Sequence, residues 1–181
     1  MLSFDHRIVA WMSGLDLPVV TPLARLLSAI GSSGLVFVAI ALVLSVRRRR
    51  ASPLAATLAA VIASQLLSGW LKTVFDRPRP SVAHGDVHAL IAVPASAAMP
   101  SGHAWISFAA AVTLGGVAPR LRPLMLLLAL LIALSRVYLG VHYPSDIVVG
   151  GLGGAATGGV VLLSLRLIAA RRDSRAAGRA R

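Results

Sequence analysis

Five apolar runs, at residues 26–46, 53–71, 104–118, 123–139 and 147–165, leave little of this chain for anything but membrane-spanning helices. Crossing the hydrocarbon core takes about 20 mostly apolar residues in helical form. A sixth stretch, 8–27, is interrupted by Asp16, Pro18, Pro22 and Arg25, so an interfacial helix or re-entrant hairpin competes there with a full span. The expected fold is therefore all-α, an integral membrane helical bundle with five to six transmembrane helices. Its expected organisation is an N-terminal interfacial or first membrane helix at 1–25, a membrane-embedded core at 26–168 and an Arg-rich cytoplasmic tail at 169–181.

Composition supports this. The chain is 57% hydrophobic and 13% charged, against about 25% charged for soluble domains. Its formal charge of +12 could suggest a nucleic-acid binder, but most of the basic residues lie between or after the apolar runs, where a membrane surface accounts for them. Lys72 is the only lysine and every acid is aspartate; with the abundant Arg, Ala and Gly, this fits a GC-rich bacterial genome. There is no cysteine, which excludes disulfides, thiolate metal sites and cysteine nucleophiles. Asp5, His6, Arg7 and Asp16 break up the first stretch, so the first spans are expected to serve as the targeting signal.

Arginine placement orients the spans. Arg47, Arg48, Arg49 and Arg50 follow the first run, Arg120 and Arg122 separate the third and fourth, and Arg166, Arg171, Arg172, Arg175, Arg179 and Arg181 end the chain. Alternating sides puts these clusters together on the cytoplasmic face. The connections after the second and fourth runs then share the outer face. In the last run Gly150, Gly154 and Gly158 recur every four residues, a spacing that favours close helix packing, within the chain rather than between copies. Trp11 and Trp70 suit interfacial anchors.

Three polar segments interrupt the pattern, at 72–80, 100–103 and 135–146. In the first, Lys72 alone would be an ordinary snorkelling residue, but Arg77-Pro78-Arg79-Pro80 holds guanidinium groups on a proline-stiffened backbone. The planar guanidinium fork suits phosphate oxygens. In the second, Ser101 is an N-cap for the apolar helix that follows, whose free N–H groups offer an anion site. Gly102 permits close backbone approach there. In the third, Arg136 lies near the end of an otherwise uncharged run, where a charge is a functional signal. Pro144 suits the first turn of a helix, so Asp146 falls in that turn, near enough to His142 to fix its tautomer. A divalent metal among His103, His142 and Asp146 would be repelled by Lys72, Arg79 and Arg136, whereas a phosphate dianion would be attracted.

The order Lys72-x6-Arg79-Pro80, Pro100-Ser101-Gly102-His103 and Ser135-Arg136-x5-His142-x3-Asp146 resembles the signature of the type 2 phosphatidic acid phosphatase superfamily, with every signature position present. The resemblance implies an integral-membrane phosphatase, without metal or other cofactor, acting on lipid phosphates or diphosphates in the bilayer. It implies that His142 attacks phosphorus to form a phosphohistidine, that His103 protonates the leaving oxygen and then helps activate water, and that Asp146 orients His142. Lys72, Arg79, Ser101, Gly102 and Arg136 would hold the phosphoryl oxygens. The expected substrate is a membrane lipid, with a polyprenyl diphosphate carrier favoured; phosphatidic acid, phosphatidylglycerol phosphate and a prenyl-phosphoryl sugar phosphate remain open. Two other classes compete: a non-hydrolytic lipid transporter or scramblase, against which the two histidines and Asp146 argue, and oxidation at bound vanadate, as in soluble haloperoxidases, against which the spans argue. Arg77 is open to assisting a second phosphate. His84 and His88 match no signature position and are expected at the surface.

Overall fold

A computed structural model of the chain describes residues 3–179, the side chains of 172, 173 and 175–179 excepted. All regular elements among the described residues are helical. They are α1 (Phe4–Gly14), α2 (Val20–Gly31), α3 (Leu35–Arg48), α4 (Ser52–Phe75), the single turn α5 (Pro80–Ala83), α6 (Gly102–Val117), α7 (Arg122–Tyr138) and α8 (Pro144–Arg179). Four stretches are long and apolar enough to cross a bilayer: Val20–Arg48, Ser52–Ala83, Pro119–Tyr138 and Pro144–Arg171. Leu26, Leu42, Leu66, Leu127, Leu152 and Leu163 point outward from them. In water such a surface would aggregate; in hydrocarbon it faces its natural solvent.

The shorter α6 is the axis of the bundle. Its residues Ala104, Ala109, Ala110, Ala111 and Leu114 are fully buried, and it packs against α4, α7 and α8. A helix apolar on all sides belongs inside such a ring. The α6–α8 contact is made by the glycine stripe. A Cβ on Gly150, Gly154 or Gly158 would lie 2.6, 2.2 or 2.6 Å from the backbone oxygen of Ser101, Trp105 or Ala109 respectively. The four-residue spacing thus serves packing inside this chain. The Trp105 ring fills the space beside Gly153, and its indole N–H donates to Thr157 Oγ1 (3.1 Å).

The first membrane segment is broken, which the apolar run at 26–46 did not announce. A 3-10 turn, Ser32–Gly34, separates α2 from α3, with Ser33 and Gly34 in the left-handed region at φ 53° and 72°. A Cβ on Gly34 would lie 2.7 Å from the Ile106 side chain. The break lets α2 lie on α7 while α3 lies on α4. Stretch 8–27 divides between α1 and α2; α1, with 11 residues, is too short to span. It rests against α7 and α8. Residues 169–179 of the expected tail continue α8, whereas 180–181 and the side chains of Arg172, Arg175 and Arg179 lie outside the described residues.

The two ends of the bundle differ. At one end the Arg47–Arg50 connection meets the α6–α7 connection, where Arg48 donates to the Val117 carbonyl (2.9 Å). At the other end lie the end of α4, the start of α6 and the α7–α8 connection, together with α1 and the irregular loop 84–101. That end collects all three polar segments.

Candidate active site

Each polar segment is fixed by local backbone chemistry. The last turn of α4 carries Lys72, and the chain leaves the helix through Asp76 at φ 39°. Pro78 and Pro80 hold the segment to Arg79 extended, and the Arg77 carbonyl accepts from Ala98 N (2.8 Å), tying it to the loop. Ser101 caps α6, accepting from Ala104 N (3.5 Å), and its own N–H donates to the Asp146 carbonyl (3.0 Å). This leaves the N–H groups of Gly102 and His103 in the unpaired first turn. Beyond α7, Gly140 takes φ 71° against the His88 carbonyl. Val141 N and His142 N then both donate to the Arg136 carbonyl (3.2 and 3.3 Å), so the turn folds His142 back over Arg136. Pro144 opens α8, and Asp146 lies in its first turn.

The side chains converge. His142 and Asp146 are 2% and 0% exposed, Arg79 and Arg136 4% and 3%. Arg79 Nη1 donates to the Val141 carbonyl (2.8 Å) and approaches His142 Nε2 at 3.2 Å. A guanidinium only donates, so Nε2 presents its lone pair and Nδ1 carries the proton. Nδ1 lies 3.4 Å from Asp146 Oδ2, close enough for electrostatic attraction but without hydrogen-bond geometry. Burial pushes the His142 imidazole below its ordinary range, to about 4, with Arg79 and Arg136 adding to the effect and Asp146 opposing it. Neutral imidazole is the form with a free lone pair.

Lys72 Nζ donates to the Ala97 carbonyl, and Arg79 Nε to the Ser96 carbonyl (2.9 Å), so both cations rest on the same stretch of loop. Arg136 Nη1 donates to Ser28 Oγ, while its Nε is buried without a partner. Arg136, His142 and Arg79 all act electrostatically on His103, in the first turn of α6. Three cations around two histidines and one ionisable acid leave unbalanced positive charge, which an anion would balance. Among the described residues, no three His, Asp or Glu side chains gather as a metal-ligand set. An open cavity of about 540 Å³ beside the site is lined by Arg77, Arg79, Val82, Val93, Ser96 and Ala97. A separate apolar groove of about 290 Å³ runs between α6, α7 and α8, past Phe108, Leu130, Ala133, Ile147 and Leu152.

Several partners carry no sequence signal. Ser28, in an apolar run, reaches Arg136. Ser96 and Ala97 hold Arg79 and Lys72 from an unpatterned loop. Arg77 departs from the phosphate role left open for it: its guanidinium is taken up by Asp146, Ser145 and Asp5. His84 is not a plain surface residue either, since it stacks on buried His6 (3.9 Å between ring centres) and meets the edge of Tyr143. His88 is exposed.

Fold and site together define a membrane-embedded helical enzyme built around a cationic pocket with two histidines. The PAP2 superfamily model matches residues 53–168, and the chain belongs to that superfamily; it is a lipid phosphatase. It is 35% identical over 157 residues to the decaprenylphosphoryl-5-phosphoribose phosphatase of Mycobacterium tuberculosis, covering 85% of this chain and 86% of that one. It is 34% identical over 116 residues to an undecaprenyl-diphosphatase of Sulfolobus acidocaldarius, covering 64% and 56%. Its structure resembles that of LpxE from Aquifex aeolicus, with a TM-score of 0.78 at 26% identity, covering 89% of this chain and 96% of that one.

Proposed function

We propose that the chain removes the terminal phosphate from a polyprenyl-linked lipid at the outer face of a bacterial cytoplasmic membrane, through a phosphohistidine and without a metal. The observation that carries this reading is the setting of His142, with Nε2 facing the Arg79 donor at 3.2 Å and Nδ1 turned to Asp146. Lys72, Arg79, Arg136, the Ser101 hydroxyl and the free N–H groups of Gly102 and His103 would hold the phosphoryl oxygens, displacing the loop carbonyls and the histidine that Arg79 now meets. His142 Nε2 attacks phosphorus, and the bond from phosphorus to the lipid oxygen breaks. His103 gives that oxygen its proton. Water, losing its proton to His103, then attacks the phosphohistidine; phosphate leaves and both histidines return to their starting states. A bound phosphate dianion favours the protonated form His103 needs for the first step.

The orientation rests on the arginine-bearing connections, which meet at the end of the bundle opposite the site; the positive-inside rule assigns that end to the cytoplasm. As substrate we favour a prenyl-phosphoryl sugar phosphate over a polyprenyl diphosphate. The relative named for the former matches 85% of the chain and the one named for the latter 64%. The cavity beside Arg79 gives a headgroup room.

Phosphate release from the detergent-solubilised protein, measured on both substrates with and without chelator, tests the reading. His142→Ala should abolish both turnover and the trapped phosphoenzyme. Near-normal hydrolysis by that variant would sink the nucleophile, loss of wild-type activity in chelator the metal-free mechanism, and preference for the diphosphate the choice of substrate.

A further inference from the structure

Arg77 lies within the variable stretch of the first motif, yet both terminal nitrogens of its guanidinium are engaged. Nη1 donates to Asp146 Oδ1 (2.8 Å) and Ser145 Oγ (2.7 Å), and Nη2 to Asp5 Oδ2 (2.9 Å). The guanidinium carbon sits 3.8 Å over the Tyr143 ring. Asp5, on α1, also accepts from Ser145 N (3.0 Å) and Ser145 Oγ. Burial raises the affinity of Asp5 for a proton, but the Ser145 and Arg77 hydrogen bonds outweigh it and hold the carboxyl below its usual range. Asp5 is therefore ionised, and Arg77 bridges two carboxylates.

Asp146, fully buried, has both oxygens assigned. Oδ1 takes Arg77, while Oδ2 accepts from Tyr143 N (2.8 Å) and faces His142. We infer that Arg77, braced by Asp5, is a positioning residue that acts through Asp146: it sets the plane of the carboxylate and moderates its pull on the His142 proton. This rests on the reading of His142 as nucleophile. A fully buried carboxylate without a cation would either take a proton itself or stabilise the imidazolium strongly. The first outcome releases His142 from its orienting acceptor, and the second blocks its lone pair. With Arg77 on the far oxygen, part of the carboxylate's pull is spent there, and His142 stays neutral. The other charged or titratable groups acting on His142 are Arg79, from the α4–α5 connection, and Arg136, on α7; His103, on α6, is coupled to it as well. None of these three contacts Asp146 Oδ1.

The test is kinetics on the full-length protein in detergent, with whichever of the two prenyl substrates the wild type hydrolyses faster. Arg77→Gln should lower kcat on the order of 10–100-fold, the scale of a misplaced catalytic group, with KM little changed. The acid limb of kcat/KM should move to higher pH, since a carboxylate relieved of Arg77 holds the His142 proton more strongly. Guanidinium ion should partly restore Arg77→Gly. Asp5→Asn should shift the limb in the same direction by less, and add little in the Arg77→Gln background. A rise in KM at constant kcat would overturn the inference in favour of direct phosphate binding. A fall in kcat with the pH limb unmoved and no rescue would reduce Arg77 to a structural brace. Should Arg77→Gln fail to fold, an unmoved pH limb in Asp5→Asn overturns the inference. Absence of wild-type phosphate release would overturn the functional reading and this inference together; wild-type turnover with a normal Arg77→Gln overturns only the role of Arg77.

Discussion

His142 is enclosed by guanidinium groups on one side and a carboxylate on the other, and its pH behaviour follows. Protonated imidazole has no lone pair for phosphorus, so kcat/KM should fall only as pH drops through the lowered value near 4, not through the ordinary 6.5. A pH–rate profile on a substrate with constant ionisation checks this; an acid limb centred at 6.5 would contradict it. At this scale the sequence carried much of the arrangement. Motif order was enough to bring Arg79, Arg136, His142 and Asp146 into one pocket, because each sits a few residues from a helix end whose position apolar length dictates. Ser28, Ser96 and Asp5 were not legible, since nothing local distinguishes a serine or aspartate that will meet an arginine 17 to 108 residues away. Arg77 was legible as a constrained cation but not as a partner of Asp146, because that pairing exists only once the connection after α4 has met the start of α8.

The catalytic end of α8 is held at a fixed height against α6 by its glycines. Gly154→Val should therefore destabilise the fold by roughly 1–3 kcal/mol or more, the range for overpacking, because its Cβ would lie 2.2 Å from the Trp105 carbonyl oxygen. Gly159→Ala meets open space and should be neutral or raise stability by about 0.5–1 kcal/mol through helix propensity. Thermal unfolding in detergent distinguishes them; equal effects would refute the packing role of the stripe. The four-residue spacing was readable because close helix approach demands small residues at that period. The break between α2 and α3 had a local signal in Gly31-Ser32-Ser33-Gly34, but membrane helices also carry such small residues, so the cluster alone does not decide. Only the tertiary requirement to serve α7 and α4 at once selects the turn.

Across the whole molecule, the order of spans follows from apolar length, and the proposed orientation rests on arginine placement. With no native cysteine, single cysteines at exposed Gly85 and Pro119 should label from opposite sides of intact cells, Gly85→Cys from outside. Labelling of both from one side would refute the topology. The place of α1 was beyond such counting, because a helix too short to span is positioned by its contacts, here Asp5 with Ser145 and His6 with Asp86 (2.8 Å). One feature of the assembled bundle also governs how its kinetics must be measured. The groove past Phe108, Leu130 and Ile147 opens on the hydrocarbon flank, and Ile147 directly follows Asp146. A lipid entering there arrives by two-dimensional diffusion, so the concentration that matters is its mole fraction in the surrounding amphiphile. Adding inert detergent at fixed bulk substrate should therefore slow turnover by surface dilution, and a rate indifferent to that dilution would mean the lipid is captured from water.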